Sequence, residues 1–204
     1  DAPTTVGELS ATLSGDGWLD VNEIYLDGVD EPLELVWTSS GSGTTRTYHW
    51  SADVPLEPGQ NILTLYVYNF QGELVATETV VINSTATGDP LKDHLLVTEI
   101  MHSPVDGSDY EFIELFNSGT EALDLAGVHF SDGIEFDFSA AGFTSLAPQT
   151  YCVLVKDLAA FSARYDTTGM NIAGEYSGKL SDGETLEILG SLNEELLKFE
   201  YASG

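Results

Sequence analysis

Basic side chains are scarce in this sequence. Lysine and arginine together number 6 against 34 aspartates and glutamates, a formal net charge of −28 over 204 residues. Such self-repulsion must be screened by salt or relieved by bound cations, and it repels phosphate backbones and anionic lipid. Nucleic acid and membrane surfaces are therefore excluded as expected partners, and a saline or cation-rich setting suits the chain. Cysteine is limited to Cys152, inside the apolar run "YCVLV". No intrachain disulfide can form, and the residue reads as a small buried hydrophobe rather than a nucleophile. Long apolar runs are also missing: no window approaches the ~18 residues of a membrane span. The N-terminal "DAPTTVGELS" lacks the basic and apolar regions of a secretory leader. No membrane insertion is expected, and the chain reads as a segment of a longer protein whose targeting signals lie elsewhere.

Helical periodicity is nearly absent. It is confined to "DLAAFSARY" (157–165), which predicts one short helix inside 156–166, while "SLNEELL" fits a helix or a turn with a strand start. What is present is strand. Runs such as "LTLYVYN", "LLVTEIM", "YEFIELFN", "TYCVLV" and "ETLEIL" are rich in β-branched and aromatic residues and sit between Gly, Pro, Asn and Asp. Asp27-Gly28, Asp106-Gly107, Asp132-Gly133 and Asp182-Gly183 supply turn residues that tolerate positive φ, and the last two read as plain hairpins. The small, polar stretch "STATGDPLKDH" separates two strand-rich halves. The expected fold class is all-β: two tandem immunoglobulin-like β-sandwich domains, residues 1–84 and 95–204, joined by a linker at 85–94. Asn83-Ser84-Thr85 matches the N-glycosylation pattern, which has meaning only in a eukaryotic secretory setting.

The chemistry is sparse as well. "SGDGWLDVNEIYLDG" (14–28) resembles the back half of an EF-hand loop, yet Thr12 and Ser14 stand where two carboxylates are needed, and the flanks are not helical. A polar turn entering a strand is the better reading, with Asp16, Asp20 and Asp27 as turn and strand-face residues. No G-x-S-x-G elbow, zinc pattern or phosphate loop occurs, and His49, His94, His102 and His129 are scattered in sequence. No catalytic residue and no organic cofactor is expected; a hydrolase would need His102 or His129 to meet a serine and an aspartate. The candidate metal ligands are Asp106, Asp109 and Glu111 in "SPVDGSDYE", three carboxylates within six residues with carbonyls between them, suited to calcium. Glu114 alternates onto the face of Tyr110, Phe112 and Phe116, where a carboxylate needs a hydrogen-bonding partner.

Four blocks in the second half carry a resemblance: "TEIMHSP"; "YEFIELFNSG" with "LDLAG"; "YCVLVKD" before a short helical segment; and "LSDGETLEI". Their order and spacing over residues 95–201 resemble a lamin tail domain, whose Phe-aliphatic-x-Leu-x-Asn strand is matched by Phe112, Ile113, Leu115 and Asn117. Pro148-Gln149 stands where the family usually has a glycine before its aromatic-led strand, Asn193-Glu194 replaces a glycine-centred turn, and Val128 replaces a frequent aromatic. Residues 5–84 resemble bacterial immunoglobulin-like modules: a Gly-x-Gly-Trp strand, "VPLEPGQN", and a closing "NFQGELV" hairpin, with Trp18, Trp37 and Trp50 as bulky anchors. The resemblance implies immunoglobulin-like sandwiches without catalytic residues. The expected function is a non-catalytic spacer and protein-interaction segment of a larger extracellular or cell-surface bacterial protein, monomeric in isolation, with an unidentified protein or cell-surface partner. Two alternatives remain open: a carbohydrate-binding accessory module using Trp18, Trp37, Trp50 or Tyr68, and a calcium-dependent adhesion module.

Charge alone generates a prediction, because folding concentrates these carboxylates into a smaller volume. The melting temperature should rise steadily between low salt and ~1 M sodium chloride. A specific calcium site would add stabilisation that grows with the logarithm of calcium concentration at fixed ionic strength. A melting temperature indifferent to salt would refute the repulsion argument.

Overall fold

A computed structural model describes residues 1–17 and 20–202. The fold is all-β, and the chain divides into two compact units, Asp1–Asp89 and Pro90–Gly204. Among the described residues no helix is long and apolar enough to cross a membrane.

The first unit has two sheets around one core. One sheet orders Thr5–Val6, Leu74–Ser84, Gly59–Asn69 and Val21–Leu26; the other orders Ser10–Gly17, Thr47–Pro55 and Val36–Ser40. Strict alternation sends Ala11, Leu13 and Val54 inward from the second sheet to meet Ile24, Leu26, Leu65 and Ile82 from the first. The EF-hand-like stretch is accounted for here. Its strand ends at Gly17 in one sheet, and the chain resumes at Val21 in the other, with no helix on either flank. Trp18 and Leu19 lie outside the described residues.

The second unit is built the same way with more strands. A four-stranded sheet runs Ile172–Glu175, Tyr151–Val155, Phe112–Asn117, Leu95–Met101. A five-stranded sheet runs Ser177–Gly178, Ile134–Asp137, His129–Asp132, Thr185–Leu189, Glu195–Glu200. Ile113, Leu115, Cys152 and Leu154 from the first pack on Phe130, Phe136, Leu186 and Ile188 from the second. Tyr151–Val155 and Ile172–Glu175 are parallel, so the chain must cross over between them, and it does so through helix Leu158–Arg164. Asp157 caps that helix, accepting from Ala160 N at 2.8 Å. Phe161 anchors it to the sheet's outer face, edge-on to Phe112 at 5.5 Å and beside Val153 and Val155.

Three local expectations need correction. Helix Phe138–Ala141 is additional: the Asp137 carboxylate caps one end and Gly142 in the left-handed region ends it, a single turn too short to show a period. Helix Pro90–His94 occupies part of the stretch read as linker and belongs to the second unit. "LSDGETL" is not a hairpin. The strand before it, Ser177–Gly178, pairs with Ile134–Asp137, whereas the strand after it, Thr185–Leu189, lies between His129–Asp132 and Glu195–Glu200. "FSDGIEF" is a hairpin, with Phe130 opposite Phe136. "SLNEELL" resolves as a turn entering strand Glu195–Glu200.

The positions where glycine was displaced keep glycine's conformation. Gln149 has φ 55° and Asn193 φ 62°, both left-handed. Gln149 compensates: its side-chain amide donates to Ser118 O at 2.6 Å and Gly119 O at 2.9 Å. Asn193→Gly should therefore raise stability by up to about 1 kcal/mol, the cost of a left-handed residue with a Cβ. Gln149→Gly should give no gain, because it discards both bonds. Chemical denaturation of the two variants checks the contrast, and an equal gain in both would contradict it.

Candidate functional site

The three candidate calcium ligands separate as the strand begins. Asp106, at φ 78°, receives Arg164 Nη2 at 3.0 Å; the same nitrogen donates to Val105 O at 2.8 Å, and the guanidinium lies 3.6 Å above the Tyr110 ring. Asp109 sits exposed in a 3-10 turn, Ser108–Tyr110. Glu111 points the other way. It shares the inward parity of Ile113 and Leu115, is 1% exposed, and accepts from Leu180 N at 3.0 Å and Tyr176 Oη at 3.4 Å. Strand alternation thus carries Glu111 inside while Asp106 and Asp109 stay on the surface. Among the described residues no group of three or more His, Cys, Asp or Glu side chains is arranged to hold a metal ion.

Around Glu111 lies a polar cluster at one end of the sandwich. Asp182 Oδ1 is 2.8 Å from His102 Nδ1 but not in hydrogen-bonding geometry with it. Ser103 Oγ donates to the same carboxylate at 3.4 Å rather than to the ring. A relay would need the serine on the imidazole, so this arrangement does not activate it. Glu184 receives Ser181 N at 2.8 Å and Tyr201 Oη at 3.3 Å. His129 Nδ1 lies 3.0 Å from Gly127 O, a backbone contact rather than one to a serine or an acid.

His49, in the first unit, meets both an acid and hydroxyls. Asp16 Oδ1 lies 2.7 Å from Nδ1, while Ser40 Oγ and Thr47 Oγ1 lie 3.1 and 3.2 Å from Nε2. Strand pairing makes the cluster: Asp16 and Thr38 flank His49 in register, and Ser40 stands opposite Thr47. The order of contacts is that of a serine relay, and it borders a solvent-open pocket of about 390 Å³ lined by Asp1, Ser14, Gly15, Asp16 and His49. Asp16 is 85% exposed and His49 40%. Water reaches this pocket and competes for each bond, which weakens the electrostatics that acyl transfer relies on.

The aromatics divide similarly. Trp50 lies over Gly15 and Trp37 over Gly17, where any Cβ would collide with the indoles. Trp50 also packs on the core, while Trp37 is 40% exposed. Tyr68 meets Tyr25 edge-on at 85°. A stacked pair occurs instead in the second unit, Phe116 on Tyr151 at 4.4 Å and 28°. Glu114, one row away, finds its partner in Thr98 Oγ1 at 2.8 Å.

Burial leaves its mark on three acids. Burial, then the Glu111 carboxylate, drives the Tyr176 phenol far above its ordinary value. Burial and Glu184 push Tyr201 up to about 12, and burial and Glu114 push the Cys152 thiol up to about 12. The thiol is accordingly inert at neutral pH. Above about pH 9 to 10 the unfolded chain releases these protons while the folded chain retains them, so unfolding becomes favoured as pH rises. Stability should be complete below that point and fall through about pH 12. Melting temperatures across that range test this, and Tyr201→Phe should flatten part of the slope. A slope unaltered by that substitution would remove Tyr201 from the account.

A lamin tail domain family model matches residues 89–195, more than half of the chain. No curated protein matches the sequence. The match spans the four-stranded sheet, the capped crossover helix and the Glu111 and Asn117 ties, and this chain belongs to the lamin tail domain family.

Proposed function

We propose that this chain is a non-catalytic spacer and protein-interaction segment of a larger extracellular or cell-surface bacterial protein. In this reading the first unit is a bacterial immunoglobulin-like module in tandem with the lamin tail sandwich. The observation that carries it is the fate of the polar groups. Glu111, Asn117 and Glu184 are bonded into the backbone, and the His49 group lies in a pocket open to water. Groups so placed support a rigid scaffold rather than turnover.

A second reading, binding of neutral carbohydrate, is favoured by Trp37, a half-exposed indole laid over Gly17 beside Trp50 over Gly15. One set of measurements separates the readings. An antibody against this segment should label intact cells carrying the full-length protein, and the purified chain should hydrolyse p-nitrophenyl acetate no faster than buffer. Turnover abolished by His49→Ala would replace the first reading with an enzyme. Glycan binding abolished by Trp37→Ala would establish the second.

A further inference from the structure

The outer face of the four-stranded sheet is covered at one end only. Outward alternation gives Phe112, Glu114 and Phe116 on one strand, Tyr151, Val153 and Val155 on the next, and Leu96, Glu99 and Met101 on the edge strand. Helix Leu158–Arg164 buries the Phe112 end through Phe161 and Tyr165. The other end is open. Leu96 is 42% exposed and Tyr151 48%, and these two flank Phe116 in one cross-strand row.

Beside that row stands a like-charge pair. A β-bulge at Thr98 sets Glu99 directly opposite Glu114 on the neighbouring strand. Carboxylates so placed repel each other at a cost to the sheet. The Thr98 hydroxyl satisfies one Glu114 oxygen without neutralising either acid. The basic groups of this unit with resolved side-chain partners are engaged elsewhere: Arg164 with Asp106, Lys198 with Glu187 and Lys156 with Gly178 O.

We propose that the open row of Leu96, Phe116 and Tyr151, with Glu99 and Glu114 beside it, docks a basic protein segment carrying an apolar side chain next to a lysine or arginine. The proposal rests on the interaction-module reading and names its surface. Charge selects the occupant. A second copy of a −28 chain is repelled, as are nucleic acid and anionic lipid, whereas a cationic segment is steered in and relieves the repulsion between the two glutamates. The apolar row supplies contact area that charge alone does not.

The test uses the full chain and three synthetic peptides of equal length: alternating Leu-Arg, alternating Ser-Arg and alternating Leu-Glu. Leu-Arg should bind about tenfold more tightly than Ser-Arg, the effect of one well-seated apolar contact, and Leu-Glu should not bind. Tyr151→Ser, or Leu96→Ser as an independent check, should reduce Leu-Arg binding to the Ser-Arg level. Glu99→Gln with Glu114→Gln should weaken Leu-Arg several-fold more than Asp30→Asn with Glu31→Gln, a surface pair of the same charge in the first unit. The Glu99/Glu114 variant should also melt higher than the unmodified chain, which a purely structural role for these acids would not produce. Equal losses from the two charge variants would reduce the effect to general polyelectrolyte attraction and overturn the proposal. Leu-Arg binding lost in Trp37→Ser but not in Tyr151→Ser would move the surface to the first unit while leaving the interaction reading intact. No peptide binding at all would overturn the proposal and count against that reading too. A dimer of the chain alone, abolished by Tyr151→Ser, would assign the face to a second copy instead.

Discussion

The second unit depends on one inward-facing row: Glu111, Ile113, Leu115 and Asn117. Its middle is hydrocarbon in the core, and its two ends are buried polar groups. Glu111 holds the Leu180 amide and the Tyr176 hydroxyl, fixing the loop that leads into Thr185–Leu189. At the other end Asn117 Nδ2 lies 2.9 to 3.1 Å from the carbonyls of Glu121, Leu146 and Ala147, while Oδ1 accepts Gly119 N at 2.8 Å. A buried amide or carboxylate without such partners would cost about 1–3 kcal/mol, so each end specifies one loop path and penalises the others. The strand is thus a rod in the core that clamps chain at both tips.

The acidic composition shapes what remains. Among the few cations, Arg164, Lys198 and Lys156 close joins that apolar packing does not. Arg164 ties the helix end to the loop before Glu111 through Asp106, Val105 O and Tyr110. Lys198 bridges neighbouring strands to Glu187, whose carboxyl it holds below the usual range with help from Ser131. Lys156 donates to Gly178 O beside the Tyr176 ring. Four further acids find hydrogen-bond donors instead: Asp137 and Asp157 cap helices, and Glu184 and Glu194 receive backbone amides. Carboxylates bonded to the backbone in this way build structure without a basic partner, which suits a chain of this composition.

Much of this was legible in the sequence, and the misses share a cause. Strand class, the 158–164 helix and the Asn117-bearing strand follow from local period and punctuation, which the chain obeys. Glu111 was grouped with Asp106 and Asp109 because they are close in sequence. Continuing the strand's alternation one residue upstream, Glu111 with Ile113 and Leu115, was the signal that would have turned it inward. His49 and Asp16 lie 33 residues apart, and only the register of two strands joins them. The turn at Asp182-Gly183 has hairpin chemistry but joins strands that are not neighbours. Local chemistry specifies a turn; it does not specify which strands pair.

The two faces of strand Phe112–Asn117 divide the work. Inward, Glu111 and Asn117 are each hydrogen-bonded and the apolar groups between them are enclosed, which favours one arrangement of that face. Outward, the rules are relaxed: Phe116 and Tyr151 stack in view of solvent, and Glu114 faces Glu99. The bulge at Thr98 belongs to the same logic. It breaks the regular edge that would otherwise recruit foreign strands, yet it leaves the face beyond Phe112 accessible. A sandwich whose inward row is so bonded and enclosed can tolerate such local frustration on its outer face.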